Sequence, residues 1–384
     1  MWGGRRDFEL AKRIMRTDVR IEYEPKTGFF WGKKDKAYPD FIGLKKLDDN
    51  ALFAKLPVVT NTEAFPDNHD EHFGRGRELS TYRLPLVVLK ATWKRLTRRF
   101  KAVIVKPTKD SYLLYSKSFS GLHTTDETIL ASVALSYNSL LSVYYFFMTS
   151  GRLASYRPSL RNEDIKTFPV VPVADLSLNQ LSTLSEDEID EKTFHLYHLN
   201  STERALVSDF VKVTLPDFKN IRNALAHQPV VAFSQQKNNT LEVYCEWFLR
   251  VLKAGFGEDK PISTTIFTSN SDTKLPYCMV AIHLDLPQQK PFRYEHSSKN
   301  ELMAKLAELE HQYQNQKNGS IYYRKVSRVY MNIPVTHHGT KRNIPTVFLI
   351  KPNQIRYWTR SMAMRDADEI AGDIMLWREG SATK

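Results

Sequence analysis

KDSYLLYSKSFSGLHTTDETILASVALSYNSLLSVYYFFMTSGRLASYRPSLRNEDIKTFPVVP, residues 109–172, carries three local signals in succession. Tyr112 to Phe119 has the aromatic, aliphatic and hydroxyl content of a strand, followed by a polar turn. Glu127 to Met148 reads as a long apolar helix, with Thr124, Thr125 or Asp126 as N-cap and Gly151 as its stop. Arg157-Pro158 closes any helix, and Asp164 to Pro172 reads as an extended segment ending on prolines. The pattern is that of an α+β domain built round a buried long helix.

That helix is long enough to raise the question of a membrane, since a span needs about 20 apolar residues. Ser132, Ser136, Asn138, Ser139 and Ser142 speak instead for burial against protein. Met1 is followed at once by Arg5, Arg6 and Asp7, unlike a signal peptide. No membrane association is expected.

The 384 residues suffice for two or three cores, and 42% hydrophobic with 12% aromatic content describes globular protein. Cys245 and Cys278 cannot form a zinc cluster between them, and they fit a reduced, cytoplasmic setting. A formal charge of +12 favours a polyanionic partner.

Outward from the opening stretch, Met1 to Arg20 reads as a helix with Phe8, Leu10, Ile14 and Met15 inward. Residues 1–175 make one expected domain, 176–258 a helical connecting region, and 259–384 a smaller α+β domain. The connecting region includes a helix capped by Asn200, with Glu203 at the capping-box position, and the amphipathic helix Leu241 to Leu252. In the last domain, strands are expected at Ser263–Thr268, Tyr277–Leu286, Ser320–Met331 and Thr346–Ile350. Helices are expected there at Asn300–Gln316 and Ser361–Trp377.

Between Leu79 and Lys106 the charges are all of one sign: Arg83, Lys90, Lys94, Arg95, Arg98, Arg99, Lys101 and Lys106, with Tyr82, Trp93 and Phe100 interleaved. Cations continue at Lys117, Arg152, Arg157 and Arg161. A nucleic-acid backbone, with a charge every 1.7 Å or so of duplex, releases condensed counterions to such a face. The competing explanation is a solvated helix face.

Other chemistries leave weaker traces. FGRGR at residues 73–77 lacks the strand and helix of a nucleotide-binding glycine turn. The pairs His69/His72, His195/His198 and His337/His338 have no orderly third metal ligand. Glu258 and Lys260, with Asp40 or Asp217 upstream, offer a magnesium-nuclease arrangement, but in a glycine-rich turn. No Asn/Asp/Ser-Pro-Pro-aromatic motif and no glycine loop for S-adenosylmethionine occurs. In IRNALAHQP, Arg222, Asn223 and His227 look like the arginine-x4-histidine motif of HEPN ribonucleases. On one helix face they would supply an acid-base histidine and a phosphate-stabilising arginine without metal.

Taken together, MWGGRRDFELAKRI, YSKSFSGLHT, the run from LASVALSYNSLLSVYYFFMTSGR to LRNEDIKTFPV, and the terminal VFLIKPNQIRYWTRSMAMRDADEIAGDIM resemble one family. It is the region following the catalytic domain in large bacterial adenine-specific DNA methyltransferases of restriction-modification and phage-defence systems. In that target-recognition region an asparagine-serine helix, here Asn138 and Ser139, precedes a strand ending in lysine-x-x-proline. The relatives' catalytic and cofactor motifs lie upstream of the matching region. The resemblance therefore implies a specificity subunit of a complex, with S-adenosylmethionine and the chemistry on a separate methyltransferase-like or nuclease-like protein, and no family catalytic residue carries over.

The expected partner is double-stranded DNA. Lys94, Arg95, Arg98, Arg99, Lys101 and Lys106 would meet phosphates, and Lys117, His123, Arg152, Tyr156, Arg157 and Arg161 would surround the bases. Apolar surface on the N-terminal helix and the last domain would hold the partner protein.

Overall fold

The computed structural model describes residues 3–30, 36–47, 49–94, 97–154, 159–230, 239–257, 260–269, 276–286, 292–297, 299–316, 327–337 and 340–382. The chain is of the mixed α+β class and divides into two compact units, Met1–Val211 and Lys212–Lys384. The region 176–258 is shared between two cores. Helices Leu178–Thr183, Glu186–Leu196 and Ser201–Asp209 belong to the first unit, and Thr240–Phe256 to the second.

In the first unit a five-stranded sheet runs in the order Lys26–Thr27, Phe119–His123, Leu86–Lys90, Ala102–Lys106, Val59–Asn61. All neighbours are antiparallel except the last pair. Leu86, Val88, Val103 and Val105 face a core with Phe53, Phe73 and Tyr115. The stretch Tyr112–Phe119 is two strands, Leu113–Tyr115 and Phe119–His123, parted by a turn. Asn162–Lys166 is a short helix, and the extended part begins only after it, where Val170 bridges Ile21.

The long apolar helix is also two, Glu127–Asn138 and Leu140–Thr149, bent by 71°. Asp126 caps the first, accepting from Thr128 N and Ile129 N. The break is made by polar side chains. The Asn138 amide docks on the edge of a neighbouring strand, its Oδ1 accepting from Ala102 N (3.1 Å) and its Nδ2 donating to Ala102 O (3.0 Å). Ser139 is extended (ψ 161°) and caps the second helix; its hydroxyl donates to Ser136 O (2.6 Å). Ser142 Oγ reaches Tyr137 O and Ser139 O (2.8 and 2.9 Å). The carbonyls set loose by the bend thus find partners without water. Both helices are buried, and no single helix among the described residues is long and apolar enough to cross a membrane.

The N-terminal helix is Arg5–Met15, with Leu10, Ala11 and Ile14 inward. Phe8 (41% exposed) and Met15 (51%) lie outward, contrary to the sequence expectation.

The second unit is a five-stranded sheet in the order Phe292–Ser297, Ser263–Ser269, Tyr277–His283, Thr340–Pro352, Ser327–His337. Alternation sorts its side chains. Ile266, Val280, Val347 and Leu349 meet the helices Thr240–Phe256 and Arg360–Ala382, while Phe267, Met279 and Phe348 meet the helix Lys299–Gln316. Cys245 and Cys278 are buried free thiols, pushed up to about 12 by burial.

Candidate nucleic-acid interface

The basic run falls on two adjacent strands and the loop between them. Leu89 pairs Ala102, and Lys90 N donates to Lys101 O (2.8 Å), so residues 91–101 form the loop. Its base is clamped by the end of the Glu127–Asn138 helix. Tyr137 Oη donates to Lys90 O (2.8 Å) on one side while Asn138 holds Ala102 on the other. Inside the loop Arg98 N donates to Lys94 O (2.9 Å) and Lys94 N to Arg99 O (3.1 Å), with Arg98 in the left-handed region at φ 57°.

Arg99 corrects the sequence expectation. It is buried, with Nη1 and Nη2 on the two oxygens of Asp190 (2.8 and 2.6 Å), Nη1 also on Asn138 O (3.0 Å), and Nε on Glu186 (3.1 Å). Asp190 Oδ1 accepts as well from Leu140 N (2.8 Å) at the helix break. Arg99 therefore anchors the loop and does not face a ligand. Lys101 also turns inward, donating to Ala54 O (3.0 Å) and Leu56 O. Lys90 reaches Asn50 Oδ1 over the Phe119 ring.

Three separate segments meet beside this loop. Ala91 N donates to Ser118 O (3.4 Å), Leu160 N donates to Ala91 O (2.9 Å), and Thr92 bridges Ser159. Lys94 and Arg98 are thereby gathered with exposed Lys117 and Arg161 at one end of the sheet. Phe30 and Arg77, which sequence reasoning passed over, stand there too. Lys117 N donates to Phe29 O (2.7 Å), and the half-exposed Phe30 ring has Lys117 Nζ at 5.5 Å and the Arg77 guanidinium at 5.6 Å. The signal was FGRGR read for its arginines instead of its glycines.

Lys106 and His123 are elsewhere. Both flank Leu86, whose partners are Val105 and His123, at the opposite end of the five-residue strand, about 13 Å away at 3.3 Å per residue. His123 Nδ1 is 2.9 Å from Pro85 O. Arg152 is half-buried in the 3-10 turn Gly151–Ala154. Arg95, Tyr156 and Arg157 lie outside the described residues. The expected single patch is thus two poles, of which the Lys94 pole is the richer in cations.

Crowding of ammonium groups marks that pole. Lys90 and Lys101 are each pushed down to about 8, first by burial and second by the charge of Lys94. A phosphate placed there meets charge already under mutual repulsion.

The HEPN-like arrangement is not formed. Ile221–Ala224 is a turn with Asn223 at φ 59°, and only Leu225–His227 is a 3-10 turn, so Arg222 and His227 do not share a helix face. Pro216 and Pro229 leave room for about three turns, but Asn220 and Asn223, both in the left-handed region (φ 49° and 59°), interrupt the stretch. His227 Nε2 instead meets Asp217 (3.1 Å), which also takes Arg356 (3.3 Å). Of the metal and nuclease candidates, Glu258 and His338 lie outside the described residues, and no group of three ligating side chains occurs among the described ones. Comparison with known proteins finds no family model and no curated protein that matches the chain.

Proposed function

We propose that the chain is a DNA-recognition protein of the methyltransferase-associated kind its sequence resembles, binding duplex DNA at the Lys94 pole. A methyltransferase-like or nuclease-like catalytic component would act on the site it selects, in a restriction or phage-defence complex. The observation that carries this reading is the convergence of Lys94, Arg98, Lys117 and Arg161, from three segments, beside Phe30 and Arg77. Four cations, two of them on a loop held at its base by Tyr137 and Asn138, suit a backbone whose register must be fixed before bases are read. Arginine is the commonest partner of guanine in the major groove, which makes the exposed Arg161 the favoured reader and the lysines the phosphate contacts.

The test is fluorescence anisotropy of labelled duplex across a salt series. Binding should weaken steeply with salt, and Lys94→Ala and Lys117→Ala should each flatten the log–log slope by about one. Absence of salt-dependent duplex binding would remove the reading. Equal affinity for duplex RNA would change its class.

A further inference from the structure

The C-terminal unit holds a cavity of about 220 Å³ between the Lys299–Gln316 helix and the sheet. Much of its wall is apolar, from Phe267, Leu309, Met331, Ile333 and Phe348. One edge carries a buried polar chain whose hydrogens can be placed by elimination. Thr346 Oγ1 donates to Ile344 O (3.1 Å), so it accepts from His283 Nδ1–H (3.0 Å). His283 Nε2 is then an acceptor for the Thr265 hydroxyl (2.8 Å), and the Thr265 oxygen accepts from Arg293 Nε (2.9 Å). Burial keeps the imidazole neutral, pushing it down to about 4, with Arg293 and Lys305 adding to the depression. Arg293 is consequently fixed at the mouth through Nε, and no carboxylate among the described residues engages its two Nη groups.

A guanidinium fork beside an apolar hollow is chemically specific. An engineered apolar cavity of about 150 Å³ accepts benzene, so this one has room for a ring or short alkyl chain with a headgroup. Lys305 supplies a second cation, 4.4 Å from the Phe267 ring centre and 3.4 Å from Glu295. Glu295 and Glu308, also on the wall, disfavour a second negative charge on any occupant. We propose that this cavity binds a small monocarboxylate with an apolar body, its carboxylate bidentate on the Nη groups of Arg293 and its body against Phe267 and Phe348. The proposal is independent of DNA binding.

Calorimetric or ligand-observed NMR titration of the full chain with benzoate and hexanoate tests it, with benzamide, hexanamide and succinate as comparators. At least one monocarboxylate should bind saturably at or below about 10 mM. Its amide and succinate should bind about tenfold more weakly or less, because a charge-assisted bidentate pair is lost or a second charge is opposed. Arg293→Gln, at an exposed position, should abolish the preference for acid over amide in a protein that stays folded, its melting temperature lowered by no more than the loss of one hydrogen bond to Thr265 explains. No saturable binding by either acid, equal affinity for acid and amide, or a preference that survives Arg293→Gln overturns it.

Discussion

Arg99 and Lys94 are both basic residues of one eleven-residue loop, yet their environments assign them opposite tasks. Arg99 and its partner Asp190 are 8% and 7% exposed, and their bidentate pair is completed by Asn138 O and Leu140 N. Removing one member leaves the other charged and buried. Arg99→Ala should therefore cost about 3–5 kcal/mol in chemical denaturation, whereas Lys94→Ala should change stability little. His283 is the corresponding case in the C-terminal unit. Its folded value near 4 lies below the ordinary 6.5, so between those two the unfolded chain binds the extra proton. Stability should thus be lost as pH falls from about 6.5 to about 4, by up to about 3 kcal/mol for this group. His283→Gln should flatten that part of the profile, which denaturant titrations at several pH values would read.

At the scale of the element, the sequence announces the apolar run from Glu127 to Met148, three candidate caps of which Asp126 is the one used, and its buried serines, but not the bend. No proline or glycine stands at Ser139, and the local bonds of Ser139 and Ser142 satisfy the break without announcing it. The break follows from Asn138 finding Ala102 in a strand 36 residues back, a tertiary hydrogen bond that periodicity cannot register. The same holds for Arg99, whose inward turn depends on Asp190, 91 residues on. By contrast, the five strands and three helices from Thr240 to the end are local in origin. Alternation and amphipathicity located the three helices and the strands Ser263–Ser269 and Tyr277–His283 to within a few residues; they missed the edge strand Phe292–Ser297, and they understated Ser327–His337 and Thr340–Pro352, which extend one another as a hairpin. The candidate site was legible as charge and illegible as geometry, because sequence order cannot say which of two strand ends a side chain occupies. The clamped loop makes a further prediction. Lys90 and Lys101, turned inward and near 8 in the free protein, would regain protons toward the ordinary 10.5 if a phosphate on Lys94 offset the charge that helps to depress them. Between those values the complex holds more protons than the free protein, so DNA affinity should fall as pH rises above about 8. Anisotropy at fixed salt from pH 7 to 10 would measure it, and a flat profile would detach these two lysines from the interface.

Across the whole chain, the excess of cations is unevenly placed, and its placement matters more than its total. From Leu79 to Lys109 every charged side chain is basic, while Asp175 to Asp209 is dominated by carboxylates. The two stretches meet where Arg99 pairs with Glu186 and Asp190, so part of the basic charge is neutralised inside the protein and the remainder is what a polyanion would meet. The charge total cannot by itself choose between the two ends of the sheet, since Lys106, at the far end beside His123, belongs to the same basic stretch as Lys94. Charge reversal can. If DNA lies on the Lys94 pole, Lys94→Glu and Lys117→Glu should each reduce affinity by about tenfold or more at moderate salt, through lost attraction plus new repulsion. Lys106→Glu, about 13 Å off and outside the Debye length at ordinary ionic strength, should reduce it by a factor of about two or three. The ranking should compress as salt is lowered and the screening length grows. An interface centred on Lys106 and His123 would invert the order, and equal losses from all three would mean that the protein holds DNA by its field alone, with no docked register.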